Sequence, residues 1–261
     1  LRYMNKNPLE VSVIMPALDE QDNIVLAVKN ALSAFDESGI DGEIIVINDG
    51  SRDKTQERVA AFIANDKRVR LINNDKPLGI GASFWNGVDN SRGGVVVLLP
   101  GDNEVDPWEI LMYFKLLEHV DIVIPFVFNK QVRSLFRNGL SFIYRFIINT
   151  TFLVNFNYTN GTILYRKSLL RELEFRSTSF FFQTDILVRI VKKGYLFAEV
   201  PYRLGVRKEG ISKAVSFPSL LKVMRGYLRL VKDFYFTRSI KENKIFHIDS
   251  RTAERKQDIQ S

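Results

Sequence analysis

The sequence predicts an α/β protein built on a mostly parallel sheet that helices cover on both faces. Four short apolar runs, at residues 11–16, 43–48, 69–74 and 94–100, alternate with longer segments in which apolar residues recur at helical spacing. Such uninterrupted runs are typical of strands buried on both faces, and the segments between them supply the crossovers that parallel strands require. Because ligands bind beyond the carboxyl ends of such strands, we expect the turns after these runs to be neighbours.

Each element of the first half has a local signal. The first run, VSVIMP, is closed by Pro16, and the segment 23–35 then carries apolar residues at helical spacing. The segment 50–64 starts with polar residues and continues as an amphipathic helix. The segment 81–90 predicts a third helix, which leads into the strand that ends at Pro100.

The second half is less regular but is expected to extend the same domain. Its signals are strands at 121–130, 162–168 and 196–206, a Phe-rich region with arginines at 133–156, a helix at 184–194 and an amphipathic basic helix at 219–236. Nothing in the composition marks a linker. We therefore predict one domain over residues 1–240 and a polar tail, 241–261, whose last residues are expected to fray.

Composition narrows the chemistry. The 261 residues include no cysteine and only two histidines, so disulfides and thiolate metal sites are excluded and a metal would be a hard cation held by oxygen. The net charge of +7 suits nucleic acid, an anionic membrane surface or phosphorylated substrates, and it is equally compatible with simple solubility. No signal peptide is visible, and the uncharged stretch 146–165 is too polar for a lipid-exposed helix. We expect a soluble or peripheral protein.

Several common nucleotide sites are missing. The turn after the first strand, PALDEQDN, has no glycine, as a dinucleotide-binding Rossmann turn would require. The sequence contains no P-loop and no nucleophile elbow, and GIGASFWNG opens a later helix without the full dinucleotide spacing. NAD-dependent chemistry and ATP hydrolysis are therefore disfavoured.

Acidic residues instead follow the predicted strands. They are Glu20, Asp49, Asp102 and Glu104. Asp102 and Glu104, two positions apart, can present oxygen ligands to Mg²⁺ or Mn²⁺, with substrate phosphates and water completing the shell. Alternatively, Asp102 caps a helix that begins near Pro107. The two acids alone leave both interpretations open.

Several motifs in order resemble a known family. VSVIMPALDEQDNI, EIIVINDGSRDKT, GIGASFWNGV and PGDNEVDP resemble the successive signatures of family 2 glycosyltransferases of the GT-A fold. FFFQTDILVRIVKKGYLFAEVPYR followed by RKEGISK is similar, more narrowly, to polyprenyl-phosphate sugar transferases such as dolichol-phosphate mannose synthase. The resemblance covers roughly residues 10–215. It implies a Rossmann-like sheet with a nucleotide-sugar half, 10–125, and an acceptor half, 126–240, that adds a smaller β/helical extension.

The resemblance also implies residue roles on the donor side. The base and ribose pocket would be lined by Pro16, Ala17, Leu18 and Glu20. Asp49 would accept a hydrogen bond from the base, and Gly79 and Gly81 would let the backbone approach the nucleotide. The family's metal-binding DxD is DNE here, so Asp102 and Glu104 would hold the ion with a longer second acid.

Acceptor-side roles follow from the same resemblance. Asp185 stands where related enzymes carry a catalytic acid, although an aspartate near a helix N-terminus is commonly there for the helix dipole. The resemblance further implies that Arg207, Ser212 and Lys213 close over the diphosphate, and that Arg133, Arg137 and Ser141 meet the acceptor phosphate. An amphipathic core helix with solvated arginines is an equal alternative for the latter group.

Together with the resemblance, which implies inversion, these observations predict a metal-dependent glycosyltransferase that uses a nucleotide sugar. The expected acceptor is a polyprenyl phosphate at the cytoplasmic face of a membrane, with the protein in peripheral contact. The first alternative is a saccharide hydroxyl acceptor with Asp185 as general base. The second is a non-catalytic nucleotide-sugar or nucleic-acid binding protein, although acids at the sheet edge would repel nucleic acid. The helix 219–236 would lie on the membrane, on the sheet, or against a second subunit in a homodimer.

Overall fold

The computed structural model describes residues 10–129, 131, 134–205, 217–237 and 245–260. Within them the strands are β1 (Val11–Ala17), β2 (Gly42–Asn48), β3 (Val69–Asn73), β4 (Val95–Leu98), β5 (Ile122–Val127), β6 (Leu164–Arg166) and β7 (Phe197–Tyr202). The α-helices are α1 (Ile24–Ser38), α2 (Thr55–Ile63), α3 (Ile80–Asn90), α4 (Pro107–Leu111), α5 (Leu135–Phe152), α6 (Lys167–Arg171), α7 (Phe182–Lys193), α8 (Phe217–Tyr235) and α9 (Arg251–Gln260). A 3₁₀-helix spans Phe114–Glu118.

The strands form one sheet in the order β3-β2-β1-β4-β6-β5-β7. Only β6 runs against its neighbours; the other pairs in this part of the chain are parallel. The prediction of a mostly parallel α/β sheet is confirmed. Six carboxyl strand ends therefore meet at one edge, which we call the carboxyl edge, and ligands are expected there.

Two apolar layers cover the sheet. On one face, α1 and α4 bury side chains such as Phe35 and Ile110 against β1, β2 and β4. On the other face, α3, α5, α7 and α8 bury a cluster that includes Phe84 and Tyr165. Helix α3 approaches β1 so closely that a Cβ on Gly87 would lie 2.4 Å from Cγ2 of Ile14. This close approach fixes where the N-terminal end of α3 meets the carboxyl edge.

Helices α5 and α8 pack on each other in the second half of the chain. The hydroxyls of Thr151 and Tyr227 lie 2.8 Å apart, and the ring of Phe152 meets those of Tyr227 and Phe234 edge-on. Among the described residues no helix is both long and apolar enough to cross a membrane.

The end of the chain differs from the expectation that it frays. Residues 251–260 form α9, and its N-terminus is held by Asp121, whose carboxylate accepts hydrogen bonds from the backbone N–H of Arg251, at 2.6 Å, and from Thr252. Ser250 and Thr252 are buried as a result. The partner that anchors this segment lies far away in sequence, so local composition gives no sign of it.

Candidate active site

Two loops at the carboxyl edge are tied together by side-chain to backbone hydrogen bonds. Asp19, in the left-handed region at φ 57°, accepts from the backbone N–H of Arg52 at 2.8 Å. Asp53 accepts from the N–H of Gln21 at 3.0 Å and from the hydroxyl of Thr55 at 2.5 Å. Burial raises the pKa of Asp53, but these hydrogen bonds outweigh burial and leave the pKa below its ordinary value. The β1–α1 and β2–α2 loops therefore form one connected rim.

This rim carries the predicted base and ribose pocket. Pro16 and Ala17 end β1, and Leu18 is half-buried in the loop after it. Glu20 is held from two sides, because its backbone N–H donates to Thr55 Oγ1 at 2.9 Å and its carboxylate accepts from the Asn23 amide at 2.9 Å. The residues that hold the rim were not predicted from the sequence, although several of them lie in the DGSRDKT segment that carries part of the resemblance.

Asp49 organises the loop that precedes α3. Its carboxylate, which is 4% exposed, accepts hydrogen bonds from the backbone N–H of Leu78 at 2.9 Å, the N–H of Gly79 at 2.8 Å and the amide of Asn74 at 2.8 Å. The structure thus brings Asp49 and Gly79 together, as predicted for one binding region. A contact between Asp49 and a nucleobase stays a prediction.

The two glycines of this loop have distinct reasons to be glycine. Gly79 adopts φ 95°, a conformation that side chains rarely allow. A Cβ on Gly81 would lie 2.6 Å from the carbonyl oxygen of Thr178, so the segment before α7 runs directly over the start of α3. Gly79 meets a conformational requirement and Gly81 a packing requirement, and the predicted approach to a nucleotide remains a prediction.

Asp102 and Glu104 lie on a turn that is fixed against the end of β1. The backbone N–H of Gly101 donates to the carbonyl of Pro16 at 3.0 Å. Asn103, at φ 57°, reverses the chain, and the N–H of Glu104 donates to Asp102 Oδ1 at 3.1 Å. Both acids are half-buried. The turn therefore brings the predicted metal ligands next to the predicted base and ribose pocket.

The alternative role for Asp102 as a helix cap is wrong. Helix α4 is capped by Asp106, whose side chain accepts from the N–H of Trp108 at 3.0 Å, with Pro107 as the first helical residue. Asp102 therefore does not cap α4. In the part of the chain that is described, no three His, Cys, Asp or Glu side chains group closely enough to hold a metal. Two carboxylates suit a Mg²⁺ or Mn²⁺ ion that takes its other ligands from phosphate and water.

Asp185 lies in a different environment from the rim. It is 2% exposed in the first turn of α7, and its carboxylate pairs with Nε of Arg189 at 2.9 Å. Arg189 also pairs with Asp233 of α8. Burial raises the pKa of Asp185, and Arg189 lowers it in part. These contacts join α7 to α8, so the predicted role of Asp185 as general base has to be weighed against a structural one.

The predicted acceptor residues are only partly described. Arg137 and Ser141 lie on α5, where Arg137 is exposed and Ser141 is half-buried. Ser134 caps the helix by accepting from the N–H of Arg137 at 3.3 Å. Four further predicted residues lie outside the described residues, namely Arg133, Arg207, Ser212 and Lys213.

Two clefts open near these residues. The larger, of about 840 Å³, includes Glu104, Trp108 and Asn129 in its lining, together with one side of α1. The smaller, of about 320 Å³, lies between Gly79, residues 178–180 and the cations Lys222 and Arg225 of α8. Sequence analysis did not assign these cations, and the only signal for them was the basic character of α8.

Comparison with known proteins gives consistent results. The sequence profile of the family described as "Glycosyl transferase family 2" matches residues 12–174. A dolichol-phosphate mannosyltransferase from Pyrococcus furiosus is 27% identical over 241 residues, which cover 86% of this chain and 64% of the relative. A dodecaprenyl-phosphate galacturonate synthase from Rhizobium johnstonii is 21% identical over 234 residues, covering 88% of this chain and 68% of the relative. The chain thus spans about two thirds of the length of these two relatives.

Solved structures share the fold. Glucosyl-3-phosphoglycerate synthase from Mycobacterium tuberculosis, crystallised with Mn²⁺, UDP and phosphoglyceric acid, superposes with a TM-score of 0.66 at 19% identity over 87% of this chain and 80% of that one. The same enzyme was crystallised with Mg²⁺ and UDP, with the same TM-score of 0.66. The profile match covers more than half of the chain, and the predicted resemblance to the GT-A fold and to polyprenyl-phosphate sugar transferases is confirmed. The chain belongs to glycosyl transferase family 2.

Proposed function

We propose that this chain transfers a sugar, with inversion, from a UDP- or GDP-sugar to a polyprenyl phosphate at the cytoplasmic face of a membrane, using Mg²⁺ or Mn²⁺. The observation that carries the proposal is the hydrogen bond that holds the turn of Asp102 and Glu104 against the end of β1, beside the rim of Pro16 to Glu20. Two relatives named for transfer to polyprenyl phosphates support the acceptor, and a structural neighbour crystallised with UDP and Mn²⁺ supports the donor and the metal.

The donor side is proposed to use residues 10–125. The base and ribose would lie on Pro16, Ala17, Leu18 and Glu20, with Asp49 fixing the loop at Gly79. Asp102 and Glu104 would hold the divalent ion, which when bound supplies Lewis-acid stabilisation of the leaving diphosphate. The carboxylates add no proton transfer of their own here. By holding that ion they would fix the position of the diphosphate relative to the attacking oxygen.

The acceptor side is proposed to use residues 126–240. A phosphate acceptor is already ionised at neutral pH, so the attack needs cations to place the acceptor rather than a base to deprotonate it. We propose Arg133, Arg137 and Ser141 for this task and Arg207, Ser212 and Lys213 around the diphosphate. The carboxylate of Asp185 is 2% exposed and pairs with Arg189, so an acceptor hydroxyl has little access to it, which supports the phosphate acceptor over a saccharide hydroxyl.

The proposal is tested by measuring transfer from radiolabelled UDP- and GDP-sugars to a short polyprenyl phosphate in detergent with Mn²⁺. Asp102→Asn keeps an oxygen that can accept from the N–H of Glu104, so the turn should persist while the metal loses a charged ligand. Turnover should fall roughly a hundredfold or more. Asp41→Asn, an exposed acid just before β2 at the opposite edge of the sheet, is the matched control and should stay fully active.

Two outcomes would contradict the proposal. Full turnover of Asp102→Asn with unchanged dependence on Mn²⁺ would remove the metal assignment. Loss of transfer in a stably folded Asp185→Asn, combined with a poor response to any lipid phosphate, would instead support a saccharide hydroxyl acceptor with Asp185 as general base.

A further inference from the structure

The smaller of the two clefts lies between the start of α3 and helix α8, and we call it the α3–α8 cleft. Its volume is about 320 Å³, which is within the size range of small-molecule sites. The described residues that line it include two cations, Lys222 and Arg225, and the hydroxyl-bearing Thr178 and Ser179, and none of them is an acid. A concave surface with charge of one sign attracts ligands of the opposite sign.

Lys222 lies on the side of α8 that packs against the rest of the protein. A Cβ on Gly226, one helical turn later, would lie 2.8 Å from Cδ1 of Phe181 in the segment before α7. Two turns further along, Asp233 pairs with Arg189 of α7. Positions 222, 226, 229 and 233 recur at helical spacing and therefore share one side of α8. Lys222 is exposed there because it faces the cleft, so simple solubility does not explain a lysine at this position.

Arg225 belongs to the same side of the helix. It precedes Arg229 by one turn, and the guanidinium of Arg229 lies 3.5 Å from the ring centroid of Phe175, which precedes α7. Among the described residues of the chain, neither Lys222 nor Arg225 forms an ion pair. The two cations are three positions apart and therefore adjacent on the helix, where like charges repel each other. A bound anion would relieve this repulsion.

The wall of the cleft that faces α8 is held in place by its own contacts. The indole Nε1 of Trp85 donates to the carbonyl oxygen of Ser177 at 3.0 Å. The hydroxyl of Ser179 accepts from the backbone N–H of Phe181 at 3.2 Å. Because both walls are fixed, the shape of the cleft does not have to form when a ligand binds, and less conformational entropy is lost.

We infer that the α3–α8 cleft binds a phosphate group through Lys222 and Arg225. A phosphate has several oxygens, so it accepts charge-assisted hydrogen bonds from an ammonium and a guanidinium at the same time. Neither Asp102 nor Glu104 lines the cleft, so the site is expected to hold phosphate without a divalent ion. The inference rests on the proposed function only for the source of the phosphate, since both the proposed donor and the proposed acceptor carry one.

The test is calorimetric titration of the chain with pyrophosphate in the presence of EDTA, which removes divalent ions. Lys222→Met with Arg225→Met keeps apolar side chains at both positions and removes both charges, and it should weaken pyrophosphate binding by about tenfold or more. The matched control, Lys192→Met with Lys232→Met, removes the same charge from exposed positions of α7 and α8 outside the cleft and should bind as the unaltered chain does. Circular dichroism and the unfolding midpoint verify that both variants fold.

Competition identifies the source of the phosphate. Displacement of pyrophosphate by UDP or GDP would assign the cleft to the donor, and displacement by a short prenyl phosphate would assign it to the acceptor; either result supports the inference.

Two results would overturn the inference: equal pyrophosphate affinity of the Lys222/Arg225 variant and its control, or no pyrophosphate binding by the unaltered chain unless Mn²⁺ is added. The proposed function fails separately. A chain that binds pyrophosphate in this cleft but transfers no sugar refutes the function alone. A chain that transfers sugar while its Lys222/Arg225 variant binds pyrophosphate normally refutes the cleft alone.

Discussion

The carboxylate of Asp49 gives the sharpest test of how the donor side is held together. It accepts three hydrogen bonds, two of them from the backbone N–H groups of Leu78 and Gly79 and one from Asn74, and it is 4% exposed. Asp49→Asn preserves shape and one accepting oxygen, but turns the other oxygen into an N–H donor. One backbone N–H then faces a donor, in a site that excludes water.

The expected cost follows from these contacts. A hydrogen bond to a charged group contributes about 1.5–3 kcal/mol; of the three bonds, one is lost and the other two become bonds to a neutral oxygen. We expect the free energy of unfolding to fall by about 2–4 kcal/mol, which for a chain of this size lowers Tm by roughly 4–8 °C. Urea denaturation and calorimetry measure both quantities.

A donor-binding assay adds the functional readout. Because Asp49 fixes the loop at Gly79, the variant should also bind UDP- or GDP-sugars about tenfold or more weakly by calorimetric titration. Asp75→Asn, an exposed acid one residue beyond Asn74, is the matched control and should change neither quantity. An Asp49→Asn protein with the stability and donor affinity of the unaltered chain would refute the reasoning. It would show that the three contacts neither stabilise the fold nor shape the donor site.

Three other perturbations test the packing and the electrostatics. Gly81→Ala should destabilise the fold by about 1–3 kcal/mol, because its Cβ would lie 2.6 Å from the carbonyl oxygen of Thr178. Gly139→Ala is the matched control: a Cβ there meets open space on α5, so it should stabilise the fold by about 0.5–1 kcal/mol, and urea denaturation midpoints compare the two variants. Asp121→Ala should release α9, lowering the free energy of unfolding by about 3 kcal/mol and removing the hydrogen-exchange protection of residues 251–260. Intact protection of those residues would show that Asp121 does not anchor the helix. The pKa of Asp53 is lower in the folded protein than its unfolded value near 3.8, so the ionised carboxylate stabilises the fold above that pH, and this stabilisation is lost as the pH falls through the folded pKa. Asp53→Asn should therefore reduce the loss of stability at acid pH, measured as the free energy of unfolding against pH. An unchanged acid dependence would contradict this.

Sequence reasoning located the donor side well because the relevant physics is local. Continuous apolar runs predict buried parallel strands, and the direction of those strands places every following turn at one edge. The positions of Asp49, Gly79 and Asp102 at that edge follow from these two facts alone. Their detailed partners do not, because the loop before α3 folds back onto Asp49 from residues that are 25 to 30 positions away.

The acceptor side was harder because the same local pattern has several tertiary outcomes. An aspartate in the first turn of a helix is equally suited to a dipole, a base or an ion pair, and only the approach of Arg189 and Asp233 placed Asp185 in a paired, buried setting. The basic amphipathic pattern of α8 predicts a helix but not its partner, since the pattern is the same on a membrane, a sheet or a second subunit.

By itself, then, the sequence determined the parallel sheet, the family and the edge at which the acids meet, because strand burial and chain direction are encoded by residues close together in the chain. Tertiary structure alone decided that Asp106 rather than Asp102 caps α4, that α9 is anchored by Asp121, and that Arg189 pairs Asp185 of α7 with Asp233 of α8. Those outcomes depend on which surfaces meet after the chain has folded. The stabilising contacts are made by pairs of residues far apart in sequence, so no local pattern predicts them.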